Sequence, residues 1–220
     1  MLSLLCCPQT GRKFRPVIRF EGGNPAVNDI PLFGGIEAGG TKIVCASGTG
    51  PEDMNRAQFP SGSAPDAALA PVIRWLRCEE ERRGRFRALG IGSFGPVGLD
   101  PHSPSYGRIT TTPKEGWRNA DILGTFRRAF PGIPIGFDTD VNAAAMGEHR
   151  WGAGRSLGDF VYITMGTGIG AGVMAGGKLL HGLVHPEAGH LRIPRLPGDA
   201  FPGICPFHGD CWEGLCSGPA

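Results

Sequence analysis

The 220-residue sequence predicts an α/β fold whose sheets are mixed rather than purely parallel. Two observations carry this prediction. Short apolar segments alternate with segments of helical spacing along most of the chain, which is typical of α/β domains. In two places a glycine-rich turn joins two apolar segments directly, and such hairpins contribute antiparallel strand pairs. At this length the chain can form one ordinary domain or two small ones.

The first half of the chain contains one predicted hairpin, one helix and one further strand. The hairpin has its strands at Leu32–Ile36 and Lys42–Ala46, on either side of a Gly-Gly turn. A helix is predicted over Pro65–Cys78, because its apolar residues recur three and four positions apart. A strand at Ala88–Ile91 then runs into a segment that contains Gly and Pro.

The second half repeats this alternation and ends in a second hairpin. A helix is predicted over Asp121–Ala129 and a strand over Ile133–Phe137. Another helix, over Ala143–His149, follows a short acidic segment. The second hairpin has its strands at Phe160–Met165 and Val173–Ala175, with a glycine-rich loop between them.

Composition and charge argue against several classes of partner. Lys and Arg number 22 against 20 Asp and Glu, a net charge of +2, so we expect neither nucleic acid nor an anionic membrane as a partner. A run of about eighteen apolar residues, as a transmembrane helix needs, is absent. The seven cysteines are odd in number, which indicates a reducing, cytoplasmic compartment. Residues 1–30 are polar and without periodicity, and we expect a disordered tail there.

The two glycine-rich loops are candidates for phosphate binding. Gly39 and Gly40 are followed by the hydroxyl of Thr41 and the ammonium of Lys42, and glycines let backbone N–H groups approach a phosphate closely. The second loop, 166–172, superficially resembles a dinucleotide fingerprint, but a strand follows it where that motif requires a helix. Two such hairpins suit a nucleotide held between two lobes.

Asp140 is the candidate catalytic base. It lies where a predicted strand meets a predicted helix, beside Asn142. A carboxylate at this position can accept the proton of an attacking sugar hydroxyl in a phosphoryl transfer. The alternative is that Asp138 or Asp140 only caps the helix that follows.

Cys205, His208 and Cys211 lie three residues apart, and His190 lies upstream of them. Two thiolates and two imidazoles can form a closed tetrahedral zinc site of the structural kind. A Cys205–Cys211 disulfide is the alternative, and the inferred reducing compartment favours the metal. The spacing is not that of a DNA-reading zinc finger.

These segments, in this order, resemble the ROK family of sugar kinases and repressors, and within it the bacterial fructokinase branch. The resemblance runs from about Phe33 to the last residue and rests on these motifs: Gly34–Lys42, Gly90–Pro96, Tyr106–Thr110, Thr112–Lys114, Gly116–Asn119, Phe137–Asn142, Gly166–Gly170, His181–His190 and Cys205–Gly214. It implies an actin-like fold with a first lobe at 31–136. A partial second lobe at 137–220 would include a zinc-binding insertion at 190–211.

The resemblance also implies a role for each matched residue, in a cleft that closes on a sugar and ATP-Mg²⁺. The implied roles are phosphate binding for Gly39, Gly40, Thr41, Lys42, Thr167 and Gly168; the catalytic base for Asp140; sugar binding for Asn119, Asn142, Glu187, His190 and Glu213; the pocket wall for Gly95 and Pro96; and Zn²⁺ binding for His190, Cys205, His208 and Cys211.

The implied reaction is phosphorylation of fructose by ATP, with fructose 6-phosphate as the product. His208 and Glu37, which replace the Cys and Asp of the wider family, look like the fructokinase branch. Glucose or mannose is the alternative substrate. A transcriptional repressor would need a helix-turn-helix domain ahead of this body, and residues 1–30 are too short for one.

Family members continue beyond the position that corresponds to Ala220 and supply the adenosine-binding segment there. We therefore expect a C-terminally truncated chain, with a non-catalytic zinc- and sugar-binding remnant as a further alternative. A homodimer is expected for the full-length protein.

Overall fold

The computed structural model describes residues 30–182 and 185–220, so the tail expected at 1–30 lies, except for Ile30, outside the described residues. Its strands form a five-stranded sheet, in the order β3-β2-β1-β4-β5, and a three-stranded sheet, in the order β6-β7-β8. Both sheets contain antiparallel pairs and the larger also contains parallel pairs, so the predicted mixed α/β class is confirmed.

The larger sheet is an antiparallel meander extended by two parallel strands. Its strands are β1 (Leu32–Ala38), β2 (Lys42–Gly48), β3 (Asn55–Pro60), β4 (Phe86–Ser93) and β5 (Ile135–Thr139). β4 pairs in parallel with both β1 and β5. The side chains of β1 and β2 alternate between buried and partly buried, as expected for strands packed more tightly on one face.

Two helices belong to this sheet, and together they form the first lobe. Helix α1 (Pro65–Arg83) begins with a proline, whose missing N–H costs nothing in the first turn, and ends at Gly84 with φ +102. Helix α2 (Ile122–Ala129) is capped by Asp121, whose side chain accepts a hydrogen bond from Gly124 N. The core between these helices and the sheet is aliphatic and aromatic, and includes Leu69, Leu76, Ile91 and Phe126.

The smaller sheet and the segments after it form the second lobe. Its elements are β6 (Phe160–Met165), β7 (Ile169–Ala175), β8 (Lys178–Leu179), a 3₁₀ turn at Ala188–His190 and the short helix α4 (Trp212–Cys216). β6 and β7 are antiparallel, which confirms that the second glycine-rich loop joins two strands. The loop is shorter than predicted, because β7 begins at Ile169 and residues 169–172 belong to the strand. In the described part of the chain no helix has the length and apolar character to cross a membrane.

Helix α3 (Asp140–Trp151) packs against both sheets. On the first lobe it lies over Gly92, where an added Cβ would come within 2.7 Å of Ala143 Cβ. On the second lobe it lies over Gly172, where an added Cβ would overlap the carbonyl oxygen of Val141. Glycine at these two positions therefore allows the helix to approach each sheet closely.

Candidate functional site

The catalytic-base candidate lies at the junction of β5 and α3. Thr139 is the last residue of β5 and also the N-cap of α3, since its Oγ1 accepts a hydrogen bond from Asn142 N at 3.1 Å. The alternative that Asp138 or Asp140 caps this helix is therefore wrong. Asp140 is the first helical residue, and its Oδ1 accepts from its neighbour Val141 N at 2.9 Å.

Asp140 is partly buried, and its carboxyl group is hard to ionise. Burial and, to a smaller extent, the negative charge of Glu37 raise the pKa of Asp140 from 3.8 to about 6. β1, β4 and β5 align Glu37 with Gly92 and Asp138 across the sheet, and Asp140 follows two residues after Asp138. Gly92 has no side chain, and a Cβ added to it would lie 3.3 Å from Asp140 Cα, so glycine here leaves the space between Glu37 and Asp140 open. A carboxyl group with this pKa can exchange a proton near neutral pH.

Asp138 holds several groups around this junction in place. Its Oδ1 accepts hydrogen bonds from Thr139 N at 2.8 Å and from Asn142 Nδ2 at 2.7 Å, while its Oδ2 lies 2.7 Å from His181 Nε2. Asn142 is completely buried, and its Oδ1 has no hydrogen-bond partner among the described residues. A buried amide oxygen without a partner is costly, so a ligand hydroxyl that reaches it would be favoured.

The first glycine turn joins β1 to β2 at the edge of the first lobe. Gly39 N donates to Lys42 O at 2.9 Å, which closes a tight hairpin and leaves Gly40 and Thr41 exposed at its tip. Gly40 O accepts from Lys114 Nζ at 2.6 Å. The turn thus brings glycine backbone, a hydroxyl and the cation of Lys114 together, a combination suited to a phosphate.

The second glycine turn joins β6 to β7 in the second lobe. Gly166 N donates to Gly168 O at 2.9 Å. Ile169, the residue after Gly168, donates from its backbone N to Glu213 Oε2 at 2.8 Å. Glu213 therefore lies against this loop. Because the Ile169 N–H is already paired, phosphate contacts from this loop would fall to Thr167 and Gly168.

The predicted pocket wall and Asn119 belong to neighbouring loops of the first lobe. Pro96 O accepts hydrogen bonds from the backbone N and the Oγ1 of Thr110, at 2.7 and 3.0 Å. Asn119 is exposed and has φ +61, a left-handed conformation that is uncommon outside glycine. Trp117, completely buried, anchors the Asn119 loop by donating from Nε1 to Gly62 O at 2.9 Å.

The segment after β8 connects the second lobe to both of these regions. His181 reaches Asp138, as described above, and His185 Nε2 lies 3.4 Å from Val97 N. The Glu187 carboxylate is 3.4 Å from His185 Nδ1, and its side chain is 48% exposed. The Glu187 carboxylate is therefore accessible beside a ring that contacts the first lobe.

His190, Cys205, His208 and Cys211 form one cluster, with their potential ligand atoms all within 4.8 Å of one another. Both cysteine residues are buried and free of disulfide bonds. Cys205 and Gly209 exchange two backbone hydrogen bonds, which fold the chain into a tight turn around the cluster. Burial, and then the neighbouring Cys205, raise the pKa of the Cys211 thiol.

The spacing within the cluster fits a tetrahedral metal site. The Nδ1 of His190 lies 3.7 Å from Cys205 Sγ and 3.6 Å from Cys211 Sγ, and His208 Nδ1 lies 3.9 Å from Cys205 Sγ. Zn–S bonds of about 2.3 Å and Zn–N bonds of about 2.0–2.1 Å at tetrahedral angles place sulfur and nitrogen about 3.6 Å apart. His190 uses Nδ1 on this side, which leaves its Nε2 for another partner.

Sequence reasoning assigned no role to Lys114, His181 or His185, although all three lie in the motifs that carry the family resemblance. Lys114 is 74 positions from its partner Gly40, and His185 is 88 positions from Val97. Only the folded chain reveals such contacts. The sole signal in the sequence is the concentration of three histidines and a glutamate between positions 181 and 190.

Residues 33–220 match the ROK family. The chain is 51% identical over 192 residues to a Bacillus subtilis (strain 168) protein named "Putative fructokinase", covering 86% of this chain and 61% of that protein. It is 45% identical over 190 residues to the fructokinase of Pediococcus pentosaceus, covering 86% of this chain and 64% of the relative. The chain therefore spans less than two thirds of the length of these curated relatives.

Solved structures show the same fold. A ROK family glucokinase from Streptomyces griseus, in complex with glucose and AMPPNP, matches with a TM-score of 0.68 and 28% identity over 86% of this chain and 58% of its own. A ROK hexokinase from Thermus thermophilus matches with a TM-score of 0.66 and 28% identity over 86% of this chain and 61% of its own. The predicted actin-like fold is confirmed.

Proposed function

The chain belongs to the ROK family, and from this membership we propose that it carries the sugar- and phosphate-binding residues of an ATP-dependent hexose kinase. Fructose is the proposed substrate, since curated relatives at 41–51% identity carry fructokinase names. Glucose is the second candidate, favoured by the similarity to the glucose-bound Streptomyces griseus structure.

The observation that carries the proposal is the buried carboxyl group of Asp140 at the β5–α3 junction. With a pKa of about 6, it is ionised at neutral pH and still basic enough to take a proton. In the proposed step, the hydroxyl on C6 of the sugar gives its proton to Asp140 while its oxygen bonds to the γ-phosphorus of ATP. The bond between that phosphorus and the ADP oxygen breaks, and ADP leaves.

The two glycine turns are proposed to hold the phosphates from opposite lobes. Gly40 and Thr41 would contact them from the first lobe, with Lys114 supplying positive charge. Thr167 and Gly168 would contact them from the second lobe. Mg²⁺ would enter with the nucleotide and neutralise the developing charge, and Glu37 and Asp140 are the carboxylates at the cleft that could approach it.

The sugar is proposed to lie between Asn119 and the Gly95–Pro96 wall on one side and Glu187 and His190 on the other. The unpaired Oδ1 of Asn142 supports this location, because a sugar hydroxyl would satisfy it. Glu213 is proposed to bind the sugar from helix α4, beside the second glycine turn, through the carboxylate oxygen that does not accept from Ile169 N.

The His190–Cys211 cluster is proposed to bind one Zn²⁺ that is structural rather than catalytic. The ligand distances support the metal, and four protein ligands leave no open position for substrate. Such an ion would join the 3₁₀ turn that carries His190 to helix α4, which carries Glu213. The metal would thereby fix two of the proposed sugar-binding residues relative to each other.

Binding and turnover together test the proposal. We expect calorimetry to show tighter binding of fructose than of glucose or mannose. Asp140→Asn is expected to leave the fructose Kd largely unchanged and to lower turnover by a factor on the order of 10²–10⁴ in a coupled ADP assay. Asp66→Asn, an exposed change in the first turn of α1, is the matched control. Near-normal turnover in the Asp140 variant would refute the assignment of Asp140 as the base. Tighter binding of glucose than of fructose would refute fructose as the substrate.

A further inference from the structure

His185 occupies an unusual position between the two lobes. Its side chain is 6% exposed, although it lies in a loop of the second lobe. Its Nε2 lies 3.4 Å from the backbone N of Val97 in the first lobe, and its Nδ1 lies 3.4 Å from Glu187 Oε1. The ring thus contacts a residue of the first lobe and a residue of the second lobe.

The partners of the two ring nitrogens determine which one carries the proton. The Val97 N–H can only donate, so His185 Nε2 must present its lone pair there. A neutral imidazole then carries its proton on Nδ1, the nitrogen that faces the Glu187 carboxylate. The Val97 N–H therefore donates to His185 Nε2, and the N–H at Nδ1 faces the Glu187 carboxylate.

The same ring lies against the proposed pocket wall. A Cβ added to Gly95 would lie 3.4 Å from His185 Cε1, so the imidazole packs directly beside that residue. Glu187 is nearly half exposed, which leaves its carboxylate accessible to a ligand while one oxygen faces His185. The buried ring therefore lies between the wall and the Glu187 carboxylate.

We propose that His185 is a positioning residue that holds Glu187 at a fixed position relative to the Gly95–Pro96 wall, through its contacts beside Gly95 and with Val97 N. The role rests on the proposed function, because it concerns a carboxylate assigned to sugar binding. His185 does not touch the reacting atoms. It aligns the Glu187 carboxylate of one lobe with the wall of the other, so that a sugar meets both at a fixed separation.

This role predicts an effect on sugar affinity rather than on the phosphoryl-transfer step. His185→Ala is expected to weaken fructose binding by about tenfold, because it removes both the hydrogen bond from Val97 N and the contact with Glu187. Turnover at saturating fructose is expected to change by less than about twofold, because Asp140 is unaltered. His102→Ala, which alters an exposed histidine of the first lobe, is the control and should leave both quantities unchanged.

Two conservative variants separate the two contacts. In His185→Asn the amide can still donate toward Glu187 from the Nδ1 position, so we expect it to recover part of the affinity. In His185→Gln the amide oxygen can still accept from Val97 N, but the donor toward Glu187 is misplaced, and less recovery is expected. Full recovery by Gln and none by Asn would overturn the link to Glu187.

The tautomer provides a test on the unaltered chain, which no folding defect can obscure. Nitrogen-15 chemical shifts of His185 in the 220-residue protein at neutral pH should show a proton on Nδ1 and none on Nε2. A proton on Nε2 would overturn the proposal. If the unaltered chain binds no hexose, the proposed function fails, and these shifts still decide whether His185 links Val97 to Glu187.

Discussion

Replacing Asp140 by Asn should stabilise the fold at neutral pH. Burial and the charge of Glu37 raise the pKa of Asp140 from 3.8 to about 6, so the folded chain holds this proton more tightly than the unfolded chain does. The stability that comes from the bound proton is fully present below pH 3.8 and is lost as the pH rises through about 6. An Asn side chain is neutral at every pH and therefore keeps this stability, and its Oδ1 can still accept a hydrogen bond from Val141 N.

The magnitude follows from the two pKa values. At about 1.4 kcal/mol per pH unit, the difference between 3.8 and about 6 corresponds to at most about 3 kcal/mol in the free energy of unfolding. We expect Asp140→Asn to gain up to this amount at pH 7.5 and only about 0.5 kcal/mol at pH 4, where the unfolded chain has just begun to lose this proton. Urea unfolding followed by circular dichroism at both pH values measures the two free energies.

The control and a direct titration make this prediction specific. Asp66→Asn, an exposed acid in the first turn of α1, should change the free energy of unfolding by less than about 0.5 kcal/mol at either pH. Carbon-13 shifts of the Asp140 carboxyl group should titrate near pH 6, and Glu37→Gln should lower that midpoint. An Asp140→Asn protein no more stable than the unaltered chain at pH 7.5 would refute the reasoning.

Two further predictions concern packing and the metal. Gly92→Ala is expected to lower the free energy of unfolding by about 1–3 kcal/mol in the same urea assay, because the new Cβ meets Ala143 Cβ; Gly90→Ala, where nothing lies within 4 Å, should be tolerated, and equal effects would contradict the close packing of α3. Elemental analysis of protein purified under reducing conditions should find about one zinc per chain, lost in Cys211→Ser and retained in Cys216→Ser. Metal-free unaltered protein would count against the site.

The parts of the fold with strong periodicity could be predicted from the sequence. Both glycine-centred hairpins and the helix after Asp140 were found close to their expected positions. Strand β3 was missed, because Asn55–Pro60 is largely polar and lies at the sheet edge with four of its six residues exposed. Helix α1 continues five residues beyond the predicted Cys78, through a charged segment in which Glu79 is buried.

Glu79 shows why that extension could not be anticipated. A buried carboxylate usually disfavours a helix face turned to the core. Here Ser47 Oγ donates to Glu79 Oε2 at 2.6 Å and Arg82 pairs with Oε1 at 2.9 Å. Burial alone would raise the pKa of Glu79, but hydrogen bonds with Ser47 and Asn55 and the charges of Arg82 and Arg83 outweigh it and lower the pKa. Ser47 is 32 positions away, and no periodic pattern encodes that contact.

In the candidate site, too, local patterns could be predicted from the sequence and contacts between distant residues could not. The four candidate metal ligands lie together as expected, because ligand type and spacing are local in sequence, and the bound metal stays a prediction. The Asp138–His181 pair was not, since its partners are 43 positions apart and each is common on a protein surface. Asp138, Thr139 and Asp140 are all suitable cap types, so the sequence alone could not identify the cap of α3. In the structure the cap is Thr139.

The chain passes from β5 into α3 without a single intervening loop residue. Thr139 ends the strand and caps the helix, and Asp140 is already helical. The orientation of this carboxyl group is therefore fixed before any substrate arrives, so little conformational entropy remains to be lost on reaching the reactive geometry. Adaptation to differently shaped sugars must come from elsewhere, from the loops that carry Asn119 and Glu187. In this architecture chemistry and selectivity can diverge independently, the first held by the sheet and the second free to vary at its margins.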